Sequence, residues 1–322
     1  MQVRVILLVL SVAVPLAAPA QQSWPAHAVR IVATSPPGGS VDFLARALAE
    51  DFGRSFGQPF VVENRPGANG NIGVEVVVKA PADGHMLFVS PPGPLAINAH
   101  LMPSMPFDPE RDVAPVAMLA VAPLLLVVHP SVPAKTLREL VDWLRAQGGK
   151  ASYASQAVAS TGYLAMELLK SRTGVEAIHV PYRGSAAQAT ADLLAGRVAM
   201  SFVNTSTTLH YIAGGQLRAI GVAELKRIRE APEIPTLDES GLPGFEATTW
   251  LGLGTRAGVP REIVARLAER SSRALAGPAV ARRMASLGIE ARPLMPDEFA
   301  AFLRSDTAKW ADIIRRSGAK LE

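Results

Sequence analysis

The sequence predicts an α/β protein whose sheets are mostly parallel and flanked by helices. Three buried strands, at residues 30–33, 60–63 and 86–90, alternate with helical periodicity at residues 40–56 and 74–79. A β-α-β-α-β order is typical of parallel sheets whose crossover helices cover their faces. Residues 113–128 form two near-continuous apolar runs, broken at Pro123, as strands buried on both faces do.

A second alternating set follows. Thr136 and Glu139 form a capping box that begins a helix reaching to about residue 146. Further strands are predicted at residues 151–155, 177–181, 198–203 and 217–222, with helices at 161–173 and 185–195. We expect lobe 1 to combine residues 24–122 with 233–322 and lobe 2 to span 123–232, with a ligand between them.

The C-terminal part supplies the helices that return to lobe 1. A linker rich in proline and glycine extends to about residue 245, and residues 250–255 resemble a strand. Pro260, Pro278 and Pro296 then stand at three helix starts, where the missing N–H of proline has no cost. These helices need a sheet on which to pack, which makes lobe 1 discontinuous.

Residues 1–20 have the features of a cleavable signal peptide. Arg4 precedes an apolar run at residues 5–17, which ends in Ala18, Pro19 and Ala20, small residues of the kind that signal peptidase accepts. The run is short for a membrane span, although an uncleaved anchor is the alternative. We therefore expect export.

Composition excludes several classes of function. The chain has 322 residues, is 49% hydrophobic and contains no cysteine, so disulfides, thiolate catalysis and cysteine-bound metals are excluded. Removing Arg4 leaves 31 basic and 28 acidic residues without a basic run, which gives no indication of nucleic-acid binding. The six histidines lack metal-ligand spacing and no nucleotide fingerprint is present, so we expect neither metal nor cofactor.

The loop after the first strand is the main candidate for anion binding. Residues 34–39 contain two prolines and two glycines, and a helix begins at Ser40. Free backbone N–H groups and the positive end of the helix dipole would meet an anion there, although an ordinary βα turn also favours glycine. The candidate contacts are Ser35, Pro37, Gly38, Gly39, Ser40 and Asp42.

Two residues of this loop have alternative roles. Asp42 would repel an anion, so we expect its side chain to cap the turn or to face away. Ser40 stands in an imperfect Gly-x-Ser-x-Gly pattern, because Asp42 replaces the last glycine. An exported serine hydrolase using Ser40 is therefore the second hypothesis, and a helix cap or ligand contact is the favoured one.

Further polar candidates follow other strands. Asn204 and Thr205 begin a hydroxyl-rich segment that either caps a turn or lines a cleft. Tyr182 and Arg183 follow a strand end, where Arg183 either pairs with a carboxylate or is simply exposed. Ser90 ends the third strand and is included as a candidate contact.

Several motifs together resemble the Bug family, the substrate-binding proteins of tripartite tricarboxylate transporters. The motifs occur in order along the chain, at residues 30–42, 61–73, 79–84, 95–98, 179–185 and 216–220. The segment Glu63 to Ala68, Glu-Asn-Arg-Pro-Gly-Ala, is the most specific of them.

The resemblance implies a non-enzymatic periplasmic binding protein of the type II-like, two-lobed α/β class. It implies a small mono- or dicarboxylate ligand, held largely by backbone N–H groups and hydroxyls of two facing loops. The second loop would be residues 155–161, with Ser155, Ser160 and Thr161 as contacts opposite Gly38 and Gly39. It also implies membrane transporter subunits or a sensor as partner, and we expect a monomer that binds no nucleic acid.

Three positions depart from the pattern of the family. Thr34 and Ser35 replace a proline and an aromatic residue, and residues 156–161 lack the usual glycines. Val203 stands where an acidic residue is common, and such a residue could meet a ligand ammonium. The departure at Val203 argues against an amino-acid ligand.

Overall fold

The computed structural model describes residues 24–182 and 186–318. The predicted signal peptide, residues 1–20, and Arg183 lie outside this range. The described chain forms two β-sheets with helices on their faces. Within it, no helix combines the length and the apolar character that crossing a membrane requires.

The first sheet has six strands in the order β11-β4-β10-β3-β1-β2. Strand β1 pairs in parallel with β2 and β3, whereas β10 pairs antiparallel with β3 and β4, and β11 antiparallel with β4. The strands are β1 Val29–Ala33, β2 Phe60–Asn64, β3 Met86–Ser90, β4 Val113–Ala122, β10 Thr249–Arg256 and β11 Glu290–Leu294.

The second sheet has five strands in the order β7-β6-β8-β5-β9. Strand β6 pairs in parallel with β7 and β8, whereas β5 pairs antiparallel with β8 and β9. The strands are β5 Leu124–Val128, β6 Ser152–Ser155, β7 Ile178–Pro181, β8 Met200–Asn204 and β9 Arg218–Val222.

Both sheets are mixed, and most strands in each run in one direction, as predicted. Among the described strands, four of six in the first sheet and four of five in the second point the same way. The exceptions are β10, β11 and β5. Two of these, β5 and β10, begin where the chain passes from one sheet to the other, and each inserts antiparallel between two strands.

Most of the helices lie close to their predicted positions, although those at residues 98–101, 109–112 and 205–213 were not predicted. They are α1 Ser40–Phe56, α2 Asn71–Val78, α3 Asn98–Leu101, α4 Pro109–Asp112, α5 Leu137–Gln147, α6 Thr161–Thr173, α7 Ala186–Leu194, α8 Thr205–Ala213, α9 Arg261–Leu275, α10 Pro278–Ser286 and α11 Pro296–Ser317. The apolar spacing of α1 buries Leu44, Leu48 and Phe52 completely. The helix ends at Gly57, whose left-handed backbone directs its N–H to the Gly53 carbonyl.

Helix α11 contacts elements that belong to both sheets. It packs against β4 of the first sheet and against α6 of the second. Its anchor is Asp306, which is 3% exposed and accepts hydrogen bonds from the indole N–H groups of Trp250 (2.7 Å) and Trp310 (2.9 Å). The helix that follows the last strand is therefore fixed to β10 while it covers α6.

Candidate functional site

A cavity of about 120 Å³ lies between the two sheets. The described residues that line it include no lysine, arginine, histidine, aspartate or glutamate. They are Asn69, Pro91, Pro92, Gly93, Ile97 and Thr249 on one side and Leu124, Gln156, Ala159, Ser160, Thr161, Gly162, Phe202, Val203 and Asn204 on the other. A ligand here would meet backbone dipoles, amides and hydroxyls.

The N-terminus of α6 opens into this cavity. Ser160 is the N-cap, and its hydroxyl accepts a hydrogen bond from the Tyr163 N–H at 3.3 Å while donating to the Ala157 carbonyl at 2.8 Å. The N–H groups of Thr161 and Gly162 precede the first intrahelical bond and are available to a ligand. The Thr161 hydroxyl has no hydrogen-bond partner among the described residues.

The Ser160 hydroxyl therefore differs from its predicted role. Its single hydrogen is used for the Ala157 carbonyl, so it shapes the helix start and has no proton left for a ligand. Thr161, 8% exposed, is the hydroxyl donor that remains at this terminus. At the predicted second loop, Thr161 rather than the Ser160–Thr161 pair is therefore the side chain that could donate to a ligand.

Ser155 and Ser90 are buried and their hydrogens are also used within the protein. Ser155 donates to the Ala157 carbonyl at 2.9 Å, and its oxygen lies 2.7 Å from His179 Nε2. Ser90 donates to the Pro91 carbonyl at 3.1 Å. Neither residue lines the cavity, so the structure assigns both to holding the loops that do.

His179 belongs to a buried polar cluster behind the cavity. Its ring stacks on Tyr153 with centroids 4.9 Å apart, and Tyr153 donates to Glu167 at 2.7 Å. Burial lowers the pKa of His179, so its imidazole is neutral at physiological pH. His179 thus has a structural role, holding Ser155 and the Tyr153 ring in place.

Of three other predicted contacts, one lines the cavity and two do not. Asn204 lines the cavity at the end of β8. Thr205, 4% exposed, donates to the Gly288 carbonyl at 3.2 Å and so joins α8 to the segment before β11. Tyr182 does not reach the cavity, because its hydroxyl donates to Asp192 on α7 at 2.7 Å.

The loop of Gly38 and Gly39 lines a different groove, of about 570 Å³, between α1, α9 and α10. The structure therefore does not bring these glycines to the cavity that contains Thr161. The left-handed backbone belongs to Gly38, with φ +89°, and Gly39 is the N-cap of α1. Pro37 is exposed in the same loop.

Asp42 caps this loop, as expected. Its carboxylate accepts the Gly38 N–H at 3.0 Å, the Asn64 amide at 2.9 Å and the Arg46 guanidinium at 3.1 Å. Burial alone would raise the pKa of Asp42, but the bonds from Arg46, Gly38 and Asn64 outweigh it and hold the pKa below its usual value. Asn64 also donates to the Ser35 carbonyl at 3.1 Å, which fixes the loop rather than leaving it open to a ligand.

Ser40 lacks the surroundings of a nucleophile. It is the first residue of α1, and none of the described histidines forms a hydrogen bond with it. A serine nucleophile needs an adjacent general base. The second hypothesis therefore has no support from the geometry at this position.

The wall opposite α6 was not anticipated from the sequence. It is built from Asn69 and from Pro91, Pro92 and Gly93, which follow β3. A Cβ atom on Gly93 would lie 2.7 Å from Asn69 Nδ2 and 2.8 Å from the Asn69 carbonyl oxygen, so the two loops touch. The available signal was the two turn-rich segments, Asn64–Gly73 and Pro91–Pro94, since each follows a strand of the same sheet.

The structure also brings together His27, Asp83 and His85, whose potential ligand atoms lie within 4.8 Å of one another. The two imidazoles stack with centroids 3.8 Å apart, and His85 Nε2 accepts the Ala26 N–H at 3.2 Å. A metal-bound histidine normally donates from its second nitrogen. Here Nε2 accepts instead of donating, which does not match that pattern, and Nδ1 lies 3.3 Å from Asp83 Oδ1.

Known proteins match nearly the whole described chain. The family described as the tripartite tricarboxylate transporter family receptor, TctC, matches residues 44–319. The chain belongs to this family. BugT of Bordetella pertussis is 36% identical to this TctC protein over 301 residues, which are 93% of this chain and 92% of BugT.

Solved TctC-like structures agree in fold. A protein of R. palustris with adipate has a TM-score of 0.82 and 33% identity, covering 92% of this chain and 100% of that chain. MatC from Rhodopseudomonas palustris with bound malate has a TM-score of 0.78 and 30% identity, covering 90% of this chain and 100% of MatC.

These findings confirm the Bug-family resemblance and the two-lobed α/β fold. TctC proteins are substrate-binding receptors, and the similar structures are ligand-binding proteins. The chain is accordingly a solute-binding protein and not an enzyme, and the serine-hydrolase hypothesis is set aside.

Proposed function

We propose that this protein is exported to the periplasm and captures a small mono- or dicarboxylate for a tripartite tricarboxylate-type transporter or a sensor. One carboxylate of the ligand lies at the N-terminus of α6, in the cavity between the two sheets. The protein acts as a monomer and uses no cofactor.

The observation that carries this proposal is the unsatisfied N-terminus of α6. Two backbone N–H groups, of Thr161 and Gly162, and the Thr161 hydroxyl converge at one cavity, and no cationic side chain lines it in the part of the chain that the structure describes. Helix N-termini bind anions because these N–H groups and the helix dipole both favour negative charge. The adipate and malate of the two R. palustris structures are carboxylates, which supports the same ligand class here.

The two sheets support the proposed division into lobes. Residues 24–122 with 233–322 would form lobe 1, residues 123–232 lobe 2, and residues 1–20 the cleaved signal peptide. The segments that cross between the sheets are hydrogen-bonded to each other, since Ala223 donates to the Leu124 carbonyl (2.8 Å) and Ala247 to the Ala223 carbonyl (3.0 Å). Closure about these segments would enclose the ligand for recognition by a membrane partner.

A thermal-shift screen of mono- and dicarboxylates identifies the ligand, because a ligand that binds only the folded state raises the melting temperature. Calorimetry then compares wild type with Thr161→Val, which removes the hydroxyl and keeps the side-chain shape. A hydrogen bond to a charged group contributes about 1.5–3 kcal/mol. We therefore expect affinity to fall by roughly ten- to a hundredfold.

Thr307→Val is the matched control, because Thr307 also lies on a helix, α11, but away from the cavity. Its affinity should equal that of wild type. If folded Thr161→Val binds the ligand as tightly as wild type does, the carboxylate does not lie at α6. If no carboxylate in the screen raises the melting temperature, the ligand class is wrong.

A further inference from the structure

Asn69 lies in the wall opposite α6 with an uncommon backbone conformation. Its φ is 51° and its ψ 36°, and the preceding Ala68 has φ 46°. Asparagine is among the few residue types enriched in this left-handed region. Such conformations persist where surrounding contacts impose them, and they concentrate at ligand sites. The contacts that hold Asn69 lead into the interior of the protein.

Three asparagine side chains form a continuous chain of hydrogen bonds from the cavity inwards. Asn69 Nδ2 donates to Asn98 Oδ1 at 2.7 Å, and Asn98 Nδ2 donates to Asn71 Oδ1 at 2.7 Å. Asn98 and Asn71 are 0% and 1% exposed. Asn71 Nδ2 then points to the sulfur atoms of Met102 (3.1 Å) and Met105 (3.4 Å).

The two methionines determine the donor-to-acceptor direction of this series of hydrogen bonds. A thioether sulfur can only accept a hydrogen bond, so Asn71 must turn its NH₂ group towards Met102 and Met105. Its oxygen then faces Asn98, which must donate to it and present its own oxygen to Asn69. Asn69 must in turn donate, which leaves its Oδ1 atom without a partner among the described residues. The contacts of Asn71 with two sulfur atoms, and a second donation from Asn98 Nδ2 to the Asn69 carbonyl oxygen at 3.4 Å, thus fix Oδ1 as the Asn69 side-chain atom that remains for a ligand.

We propose that Asn69 Oδ1 is a specificity-determining acceptor that selects carboxylates carrying a hydroxyl group over those without one. Asn98, Asn71 and the two methionines are positioning residues. The proposal rests on the proposed function, because it concerns the same cavity. It adds a hydrogen-bond acceptor on lobe 1 to the donors of α6 on lobe 2.

The chemistry of the cavity favours a hydroxyl over an ammonium as the donor. Burying a cation without a partner charge is much more costly than burying a hydroxyl that makes its hydrogen bond. No carboxylate lines the cavity among the described residues, and Val203 is part of the lining. The neutral Asn69 oxygen satisfies a hydroxyl but does not neutralise an ammonium.

Calorimetry on the exported chain with malate, succinate and aspartate tests this inference. We expect wild type to bind malate about tenfold more tightly than succinate, equivalent to about 1.4 kcal/mol. Aspartate should bind more weakly than malate. Asn69→Gly should reduce the malate-to-succinate ratio to less than about twofold, since one hydrogen bond accounts for the preference. Glycine adopts positive φ freely, so this variant keeps the loop conformation.

Asn71→Leu tests the positioning role without touching the cavity. Without the Asn71 acceptor, only the long bond of 3.4 Å to the Asn69 carbonyl oxygen holds the Asn98 amide in place. Asn98 can then turn and donate to Asn69 Oδ1, so that Asn69 presents its NH₂ group instead of its oxygen. We expect the malate-to-succinate ratio to fall towards that of Asn69→Gly, although Asn69 itself is intact. A purely structural role would lower both affinities equally and leave the ratio unchanged.

The outcomes separate this inference from the proposed function. If wild type binds succinate and malate equally well, or if folded Asn69→Gly retains the tenfold ratio, Asn69 does not read a hydroxyl and the inference is wrong while carboxylate capture stands. Tighter binding of aspartate than of malate also overturns it. If none of the three ligands nor any other carboxylate binds, the proposed function fails and this inference fails with it.

Discussion

Removing the Asp306 carboxylate should destabilise the protein by an amount that the geometry allows us to estimate. The indole N–H groups of Trp250 and Trp310 both donate to Asp306 Oδ2, and Lys309 Nζ lies 2.7 Å from Oδ1. Both tryptophans are almost completely buried, so Asp306→Ala leaves two indole donors unsatisfied. At about 1–3 kcal/mol for each of the two buried orphan donors, the expected loss is about 2–6 kcal/mol.

Asp306→Asn is the matched comparison. Because both indoles donate to the same oxygen, an asparagine that places its oxygen there keeps both bonds. It loses the ion pair with Lys309, and its NH₂ group faces the Lys309 ammonium, which is partly exposed and can turn away. We expect it to lose about 1–2 kcal/mol. Urea unfolding, followed by tryptophan fluorescence, gives the free energy of unfolding of each variant. A loss below about 1 kcal/mol for Asp306→Ala, or equal losses for the two variants, would contradict the reasoning.

Two further predictions concern the segment that crosses from β9 to β10 and the start of α6. Burial raises the pKa of Glu224 above its usual value, despite the hydrogen bond from Thr248. The folded state therefore binds the proton more tightly than the unfolded state does. This contribution to stability is lost as pH rises through the raised pKa. Glu224→Gln should therefore raise the melting temperature at pH 7 and have little effect at about pH 4, and a gain of the same size at both pH values would count against it. Gly162→Ala should weaken ligand binding in calorimetry, because its Cβ would lie 2.7 Å from the Phe202 carbonyl oxygen and displace the start of α6; unchanged affinity would show that this position tolerates a methyl group.

Local features of the fold could be predicted from the sequence. The spacing of Leu44, Leu48 and Phe52 located α1, and the capping box of Thr136 and Glu139 located α5, where the Thr136 hydroxyl accepts the Glu139 N–H. Both signals act within one or two turns of a helix. Strand direction depends instead on pairing between distant segments, such as Leu253 with Val89, and no local pattern carries this information.

The candidate site was predicted only in part, because local signals were visible in the sequence and long-range contacts were not. The helix start at Thr161 was visible because a strand, a loop of small residues and an apolar helix follow one another there. The opposite wall, Asn69 and Gly93, forms where two loops meet after strands that are distant in sequence. The orientation of the Asn69 side-chain amide depends in turn on the contact of Asn71 with the sulfur of Met102. Likewise, the bond of Tyr182 to Asp192 could not be inferred from a tyrosine that simply follows a strand.

The neutral lining of the cavity has a consequence for how capture responds to the surroundings. None of the described side chains that line it gains or loses a proton between about pH 4 and pH 9. The titrating carboxyl groups at this site would then be those of the ligand, so affinity should follow the ionisation of the guest and stay level once the guest is fully charged. Because none of the described side chains that line the cavity is a cation whose attraction salt could screen, added salt should weaken ligand binding only slightly. Such a receptor would bind its ligand with nearly the same affinity at low and at high salt, over the whole pH range in which the ligand remains an anion.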